Sequence, residues 1–380
     1  MRIAIDARKL HDFGIGTYVQ NLVRHLARLD SESEYVLFCK PDDRESLSGL
    51  GPNFRAVVES AEPYSVMEQI NIPMRLARER IGLFHSPHYV LPPLTPCKSV
   101  VTIHDCIHLM FPQYLPNRLA YGYARTFMWW AAHGSGQIIT VSEASKRDIL
   151  RYFKIPEEKI TVIHNGLDDR FRQMPPETEI HRVRERFQLQ EQFVLYAGNV
   201  KPHKNVERLI EAFHHLHTTG FDHLKLLIIG NDISRYATLR RAIHTHNLHK
   251  YVRVLGFVPD QTLQILYHLA SVFVFPSLYE GFGLPPLEAM ACGTPVVTSN
   301  ASSLPEVVGD AAVLVDPYDA RSIAEGIRRV LIDDALRADL SARGTARAQS
   351  FSWEEAARRV HQIYRDVLNE KVAASEKGAA

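Results

Sequence analysis

The 380-residue chain is poor in the features that mark several protein classes. Its cysteines show no CxxC spacing, so the sequence indicates neither a zinc site nor a disulfide framework, and a reducing cytoplasm fits best. No apolar run approaches the ~20 residues that a membrane-spanning helix needs, and the N-terminus lacks the apolar core of a signal peptide. A formal net charge of +1 provides no whole-chain attraction to nucleic acid, so no nucleic-acid partner is expected.

Metal-binding patterns are also scarce. The acidic pairs Asp42-Asp43, Asp168-Asp169 and Asp333-Asp334 do not form a D-x-D at the end of a strand. Six of the 19 histidines form two clusters, at 214–217 and 244–249, with spacings that suit no closed zinc site. The sequence therefore predicts no bound metal ion and no cofactor.

Short apolar runs alternate with helix-period segments along most of the chain, which predicts parallel, doubly wound α/β sheets. The length exceeds what one ordinary core accommodates, and the charged, proline-bearing stretch at 168–190 predicts a junction. We expect Rossmann-like domains at 1–172 and 173–352, facing a central cleft, and then a C-terminal helix at 353–372. The prolines of segment 83–93 predict a loop, segment 234–247 a helix, and residues 373–380 a frayed tail.

One stretch, 272–299, carries two glutamates at a predicted site edge. The buried-type strand 272–275 is followed by a glycine-bearing loop with Glu280, and then by a helix with Glu288 in its first turn. In open parallel sheets this edge is where ligands bind. Carboxylates would repel a phosphate but accept hydrogen bonds from sugar and ribose hydroxyls. The alternative is that Glu280 is a solvated loop residue and that Glu288 complements the helix dipole.

Three further features lie at predicted strand ends or helix starts. Gly14 and Gly16 open a helix but fail the dinucleotide fingerprint, because Val19 replaces its third glycine. His104 ends a buried-type strand, and Lys204 precedes a helix in the segment PHKN. A structural histidine and an exposed lysine are the ordinary alternatives for the last two.

Several segments together resemble a known family. EGFGLPPLE, with its E-x7-E spacing, runs on into EAMACGTPVVTS and SSLPEVVGDAAVLVDP, and YAGNVKPHKNVERLIEAF, VTIHDCIHLMFPQYLP, VSEASKRDIL and VIHNGLD occur upstream. The chain resembles the retaining, GT-B-fold glycosyltransferases of group 1, or glycosyltransferase family 4, from Gly14 to Ala357. The resemblance implies an α/β GT-B fold and a metal-independent reaction without an enzymatic nucleophile. In that reaction the leaving phosphate helps to deprotonate the acceptor.

The resemblance also implies roles for individual residues. Glu280 would hold donor-sugar hydroxyls and Glu288 the ribose, while Lys204 would pair with the donor diphosphate, whose charge grows as it leaves. His104 would lie near the reacting sugar, with Asp105 orienting its loop. The remaining donor contacts would be the backbone amides of Phe282, Gly283 and Leu284 and the helix start at Gly14 and Gly16.

One departure from the family pattern concerns the diphosphate contacts. The family often has an arginine a few residues before the lysine, and here those places hold Asn199 and His203. Asn199 is therefore assigned to the donor site. Lys201 is an alternative cation, although an ammonium lacks the bidentate fork of arginine.

The implied activity is transfer of a hexose, with mannose the leading assignment, from a nucleoside-diphosphate sugar to a hydroxyl acceptor, with retention. The TIHDCIHLMFPQYLP segment is similar to enzymes of bacterial surface polysaccharide synthesis, so a glycan or lipid-linked acceptor is expected. Two alternatives are a nucleotide-sugar epimerase of the same fold and a non-catalytic sugar-nucleotide-binding protein. An intact His104, Lys204 and Glu280 set disfavours the second.

Two groups of residues allow either packing within the protein or contact with a membrane surface. Met128-Trp129-Trp130 lie on a predicted aromatic helix, and Arg75, Arg78 and Arg80 lie near Met74 and Leu76. One interpretation is core packing beside a solvated basic face. The other is peripheral contact with a membrane, at its inner face.

Overall fold

The computed structural model describes residues 1–230 and 236–377, with side chains described as far as residue 369. The chain divides into two compact units. The first comprises Met1–Gly166 and Ser352–Ala380, and the second comprises Leu167–Phe351. Each unit has its own sheet, and all strand pairings within the described residues are parallel.

The first sheet has the order β3-β2-β1-β4-β5-β6-β7 and the second the order β10-β9-β8-β11-β12-β13 within the described part of the chain. The strands are β1 (Arg2–Asp6), β2 (Glu34–Cys39), β3 (Phe54–Val58), β4 (Leu83–Ser86), β5 (Lys98–Thr102), β6 (Gln137–Thr140), β7 (Ile160–Val162), β8 (Phe193–Ala197), β9 (Lys225–Ile229), β10 (Val252–Gly256), β11 (Val272–Phe275), β12 (Val296–Ser299) and β13 (Val313–Val315).

Helices follow most of the strands, as expected for a doubly wound arrangement. They are α1 (Phe13–Leu29), α2 (Val66–Arg78), α3 (Ile107–Met110), α4 (Arg118–Gly134), α5 (Glu143–Phe153), α6 (Glu177–Phe187), α7 (Val206–Thr218), α8 (Ala237–Thr245), α9 (Asp260–Leu269), α10 (Leu284–Ala291), α11 (Leu304–Val308), α12 (Ala320–Ile332), α13 (Asp334–Gln349) and α14 (Trp353–Lys377).

The first sheet is buried on both faces because successive side chains of its strands point to opposite sides. Ile3 and Ile5 lie in one core, with α1 and α14, whereas Ala4 lies in the other, with α2, α4 and α5. Helix α14 contributes a buried stripe that includes Val360 and Tyr364 to the α1 side. The first unit therefore includes the C-terminal helix in its core.

The structure contains three elements that the sequence did not predict. Segment 83–93 is not all loop, because Leu83–Ser86 forms β4 between β1 and β5. The charged junction contains α6, whose buried residues are only Ile180 and Val183. A short helix, Leu304–Val308, lies between β12 and β13. Each missed element has too few apolar residues for periodicity to reveal it.

Other predictions touch the limits of the described residues. The helix predicted at 234–247 is seen as Ala237–Thr245, and its predicted start lies outside the described residues. The predicted tail at 373–380 overlaps α14 as far as Lys377, and the residues beyond lie outside the described part.

The open question about the aromatic and basic segments is partly resolved by burial. Leu76 and Met128 belong to the core. Met74, Trp129 and Trp130, in contrast, are exposed. The interpretation as core packing is therefore correct for the first two residues and wrong for the other three.

Candidate active site

The loop between β11 and α10 has a conformation that only particular residues allow. Gly283 has a φ of +117°, a backbone angle that side chains disfavour, and an added Cβ would lie 2.7 Å from Leu304 Cδ2. Ser303 Oγ donates to the carbonyls of Glu280 and Phe282, at 2.9 and 2.7 Å. Ser302 Oγ donates to the Glu280 carbonyl as well, at 2.6 Å. The glycine permits the turn, and the two serines from the segment after β12 hold it.

Lys204 and Glu280 form an ion pair at this loop. Lys204 Nζ lies 2.6 Å from Glu280 Oε1 and 2.7 Å from Oε2, and both side chains are less than a fifth exposed. The ammonium also lies 5.3 Å from the centroid of the Phe275 ring. The structure thus brings together two residues assigned to different parts of the donor, the diphosphate and the sugar.

The segment carrying Lys204 is attached to the loop after β11. Asn205, with a φ of +60°, donates from Nδ2 to the carbonyls of Pro276 and Pro317, at 3.0 and 2.7 Å. The Leu278 amide donates to the His203 carbonyl at 2.7 Å. These bonds hold the lysine segment beside the glutamate loop, so the ion pair does not depend on two mobile loops meeting.

Asn199 lies at the end of β8 in the same region. Its carbonyl accepts a hydrogen bond from the buried Tyr196 hydroxyl at 3.0 Å. Its side-chain oxygen Oδ1 is buried without a hydrogen-bond partner among the described residues. A buried acceptor of this kind costs free energy, and a ligand donor would satisfy it. Lys201, the alternative cation, is exposed.

Glu288 is half-buried and lies in the second turn of α10, so its predicted position in the first turn is wrong, because the helix begins at Leu284, before the two prolines. Its Oε2 accepts a hydrogen bond from Tyr267 Oη at 3.1 Å. Burial raises the pKa of Glu288 to about 7, and the nearby Asp260 adds to this, while the Tyr267 hydrogen bond opposes it. The carboxyl group therefore changes protonation near neutral pH and can donate as well as accept a hydrogen bond.

The start of α10 offers backbone donors. The amides of Gly283 and Leu284 donate to no atom in the described parts of the chain. The side chain of Phe282 is buried and meets the Phe351 ring edge-on at 5.7 Å. Unpaired N–H groups at a helix start attract anions or hydroxyl oxygens, so the Gly283 and Leu284 amides can donate to a ligand.

His104 follows β5 in the first unit. Its Nε2 lies 3.0 Å from the Pro87 carbonyl, which can only accept, so Nε2 carries the hydrogen and Nδ1 is an acceptor. The Tyr18 ring packs edge-on at 5.0 Å, and Ser145 Oγ donates to the His104 carbonyl at 2.8 Å. Burial lowers the pKa of His104. The ring is thus neutral and fixed in orientation.

Asp105 stabilises the turn after His104, and Gly14 and Gly16 lie in the first turn of α1. Asp105 Oδ1 accepts the Ile107 amide at 2.9 Å and so holds the turn into α3. An added Cβ at Gly16 would lie 2.4 Å from the Leu10 carbonyl oxygen, whereas Gly14 faces open space. Gly16 is therefore required by internal packing of α1 against the preceding loop, and Gly14 leaves the start of α1 accessible.

The sequence reasoning missed some residues of this region. Ser302 and Ser303 stood within a quoted motif without a role, and only the fold places their hydroxyls on the loop carbonyls. Tyr267 had no signal beyond its position in a helix. The described residues contain no cluster of metal-ligating side chains. No described helix combines the length and hydropathy needed to cross a bilayer.

Comparison with known proteins identifies the family. The family "Glycosyl transferases group 1" matches residues 177–347, and "Glycosyltransferase Family 4" matches residues 14–171. The O-antigen chain mannosyltransferase B of Escherichia coli is 33% identical over 367 residues, which cover 93% of this chain and 96% of that protein. The chain belongs to glycosyltransferase family 4. This glycosyltransferase is thus a retaining hexosyltransferase that uses a nucleotide-sugar donor.

Solved structures confirm the predicted fold of this glycosyltransferase. Sucrose-phosphate synthase from Thermosynechococcus elongatus aligns with a TM-score of 0.79 and 24% identity, over 97% of this chain and 100% of that one. Anabaena HepE in complex with UDP-glucose aligns with a TM-score of 0.77 and 19% identity, over 96% of this chain and 100% of that one. The GT-B assignment made from sequence is confirmed.

Proposed function

We propose that the glycosyltransferase transfers mannose from a nucleoside-diphosphate donor to a hydroxyl of a growing bacterial surface polysaccharide. The observation that carries this proposal is the 33% identity, over nearly the whole chain, with an O-antigen mannosyltransferase. A second relative, O-antigen chain mannosyltransferase RfbU of Salmonella typhimurium, supports it at 28% identity over 64% of this chain. Both names combine the same sugar with the same class of acceptor.

The donor binds at the loop after β11 in this proposal. Lys204 meets the diphosphate, the Gly283 and Leu284 amides and Glu280 meet the sugar and phosphate oxygens, and Glu288 meets the ribose hydroxyls. The ion pair between Lys204 and Glu280 supports these roles, since it keeps a cation and an acceptor side by side. Donor binding exchanges that contact for phosphate on the ammonium and hydroxyls on the carboxylate.

The reaction breaks the bond between the anomeric carbon and the donor phosphate oxygen, and the electron pair leaves with the diphosphate. The acceptor oxygen forms the new bond on the same face and passes its proton to the leaving phosphate. Lys204 stabilises the charge that develops on the diphosphate. His104, neutral and with Nδ1 as an acceptor, holds a hydroxyl of the reacting sugar.

A donor panel tests the proposed sugar and base. The full chain is heated with GDP-, UDP-, ADP- and dTDP-sugars, and selective stabilisation by GDP-mannose is expected, because a ligand that binds the folded state raises the melting temperature. Incubation with that donor alone, followed by NMR, separates transfer from epimerisation. Stabilisation by a different sugar nucleotide would refute the mannose assignment.

His104→Ala tests the catalytic assignment. Turnover should fall about a hundredfold, while the affinity for the nucleoside diphosphate stays unchanged, since the imidazole contacts the sugar alone. His133→Ala, at an exposed histidine of α4, is the matched control. Wild-type turnover in the His104 variant would remove this residue from the mechanism.

A peripheral location at an anionic membrane is part of the proposal. Val66, Met67, Ile70 and Met74 form an exposed apolar stripe on α2, at spacings of three to four residues. Helix α4 has no acidic residue, and its exposed side carries Arg118, Arg125, Trp129 and Trp130. Apolar and aromatic groups beside arginines suit the interface of an anionic bilayer.

Vesicle co-sedimentation tests that location. Ile70→Asp should weaken binding to vesicles containing phosphatidylglycerol, whereas Ile332→Asp, at an exposed residue of the second unit, should not. Binding that is absent in the wild type, or insensitive to salt and to Ile70→Asp, would exclude this surface as a membrane contact.

A further inference from the structure

Tyr267 lies in the last turn of α9, a helix that packs against α10, and it is fully buried. Its hydroxyl donates to Glu288 Oε2 at 3.1 Å, and Glu288 is the only partner of this hydroxyl among the described residues. The resemblance to the family gives Glu288 a role in donor binding and gives Tyr267 none. The contact between them therefore needs its own explanation.

Thr294 fixes the backbone on both sides of this contact. Its Oγ1 donates to the Tyr267 carbonyl at 2.5 Å. Its amide donates to the carbonyl of Ala289, the residue after Glu288, at 3.0 Å. One residue before β12 thus holds both helices that carry the pair, so their separation is set by the fold and not by the side chains alone.

The Tyr267 ring is held from two sides. It meets the Phe273 ring of β11 edge-on at 5.3 Å, and the Phe171 ring edge-on at 6.0 Å. Edge-on packing of this kind favours one orientation of the ring. The phenol is therefore a rigid donor that points at one oxygen of Glu288.

The buried hydroxyl restricts the Glu288 side chain in turn. Rotation of the carboxyl group toward solvent would leave the Tyr267 hydroxyl without an acceptor, and a buried unpaired donor is costly. Glu288 Oε1, in contrast, has no hydrogen-bond partner in the described part of the chain. The fixed carboxyl group can thus accept further hydrogen bonds from a ligand that brings hydroxyl groups.

We propose that Tyr267 is a positioning residue that makes the donor site selective for ribonucleoside diphosphates over their deoxy forms. It holds the Glu288 carboxylate so that both oxygens accept from the ribose diol. A site built to bond a hydroxyl rejects an analogue that lacks it, because the site's own polar atoms are then left unpaired. This inference rests on the proposed function, in which Glu288 meets the ribose.

The surroundings of Glu288 connect its position to its protonation. Burial has the largest effect on the pKa of Glu288 and raises it, and the Tyr267 hydrogen bond, the next largest, lowers it. The other titratable side chains that face Glu288 are Asp168, Arg170, Asp260 and Cys292. Arg170 is shared between Asp168, at 2.8 Å, and Asp260. Loss of the Tyr267 hydroxyl should therefore raise the pKa of Glu288.

Calorimetry on the full chain at pH 8 tests the inference with GDP and UDP, each beside its 2′,3′-dideoxy form. The wild type should bind the ribonucleotide with the accepted base about a hundredfold more tightly than the dideoxy form. Tyr267→Phe keeps the ring, so it should weaken the ribonucleotide about tenfold and change the dideoxy form by less than about twofold. Tyr251→Phe, at a tyrosine that packs on His217 of α7, should bind as the wild type does.

A double-mutant cycle separates positioning from general damage to the fold. Glu288→Ala removes the carboxyl group, so Tyr267→Phe in that background should weaken ribonucleotide binding by less than about twofold more. A further tenfold loss there would mean that Tyr267 acts by a route other than Glu288, which would overturn the inference.

The pH profile of the same affinities provides a second readout. Ribose hydroxyls donate to the carboxylate, so the preference for the ribonucleotide should decline as the pH falls through the pKa of Glu288, about 7. Phosphate and base titrate alike in both members of a nucleotide pair, so their affinity ratio reports on the ribose. The midpoint should move to higher pH in Tyr267→Phe. An unchanged midpoint would show that the hydroxyl does not act on the carboxyl group.

The nucleotide pairs distinguish failure of this inference from failure of the proposed function. Equal wild-type affinity for a ribonucleotide and its dideoxy form would remove the ribose from Glu288 and overturn both. Discrimination that persists unchanged in Tyr267→Phe would overturn the positioning role alone. Binding of UDP in place of GDP would refute the guanine base of the proposed donor, and a tenfold loss with the UDP pair would still support the role of Tyr267.

Discussion

The two units use buried cations in opposite ways at the same kind of sheet edge. In the second unit, Lys204 has one carboxylate partner, Glu280, and a ligand can share or replace that contact. In the first unit, Arg8 has two carboxylate partners and a backbone carbonyl, so none of its charge is left for a ligand. The number of protein partners therefore separates a cation with one exchangeable partner from a cation that its own unit has already neutralised, although both lie beyond parallel strands.

Arg8→Leu removes the neutralised cation of the first unit and should have the largest effect of the substitutions considered. It leaves Asp6 and Glu68 buried without their cation, so the free energy of unfolding should fall by about 3–5 kcal/mol. Urea denaturation measures this. Arg78→Leu, at an exposed arginine of α2, should change stability by less than about 0.5 kcal/mol. Equal stability of the two variants would contradict the structural role of Arg8.

Lys204→Ala removes the cation of the second unit that has a single carboxylate partner. Binding of the nucleoside diphosphate should weaken by roughly 2–4 kcal/mol, because a charge-assisted contact with phosphate is lost. Calorimetry with GDP checks this, and Lys250→Ala, at an exposed lysine of the same unit, is the control. Unchanged affinity in the Lys204 variant would refute the assignment to the diphosphate. Weakening by Lys201→Ala would instead indicate that both lysines contribute.

Comparison of Glu288→Gln with the wild type shows how the protonation of Glu288 contributes to stability at different pH values. The pKa of Glu288 is raised from 4.5 to about 7, so the folded state retains a proton that the unfolded state loses. Wild-type stability relative to Glu288→Gln should therefore fall by about 3 kcal/mol as the pH rises from about 4.5 to about 8, and then level off. Denaturation curves of both proteins across this range measure the difference, and a constant difference would show that Glu288 is solvated.

Much of the fold was predictable because its strands are short, fully apolar runs. Strand Val272–Phe275 has the predicted bounds. Strand β4 was missed because half of it, His85 and Ser86, is polar. His85 is tolerated in the core because Tyr364 and Thr102 hydrogen-bond both of its ring nitrogens, at 2.6 and 2.8 Å. That partnership joins residues far apart in the sequence.

The candidate site also has some residues that local sequence patterns predict and others that only the fold brings together. The spacing of Glu280 and Glu288, the glycine loop and the lysine segment were visible as a pattern, because each is a local feature of one strand-to-helix connection. The resemblance to the family came from those same local segments. The contact between Tyr267 and Glu288 had no local pattern, since it joins two separate helices.

The sequence alone determined the parallel α/β class, the family and the strand-to-helix connections that carry the candidate site residues. Apolar periodicity and glycine spacing are properties of neighbouring residues, so they can be identified from the sequence alone. Only the tertiary structure decided which charges are already neutralised, as in Arg8 with Asp6 and Glu68, and which have one exchangeable partner, as in Lys204 with Glu280. Partners distant in the chain set the net charge and the hydrogen-bonding capacity that remain for a ligand.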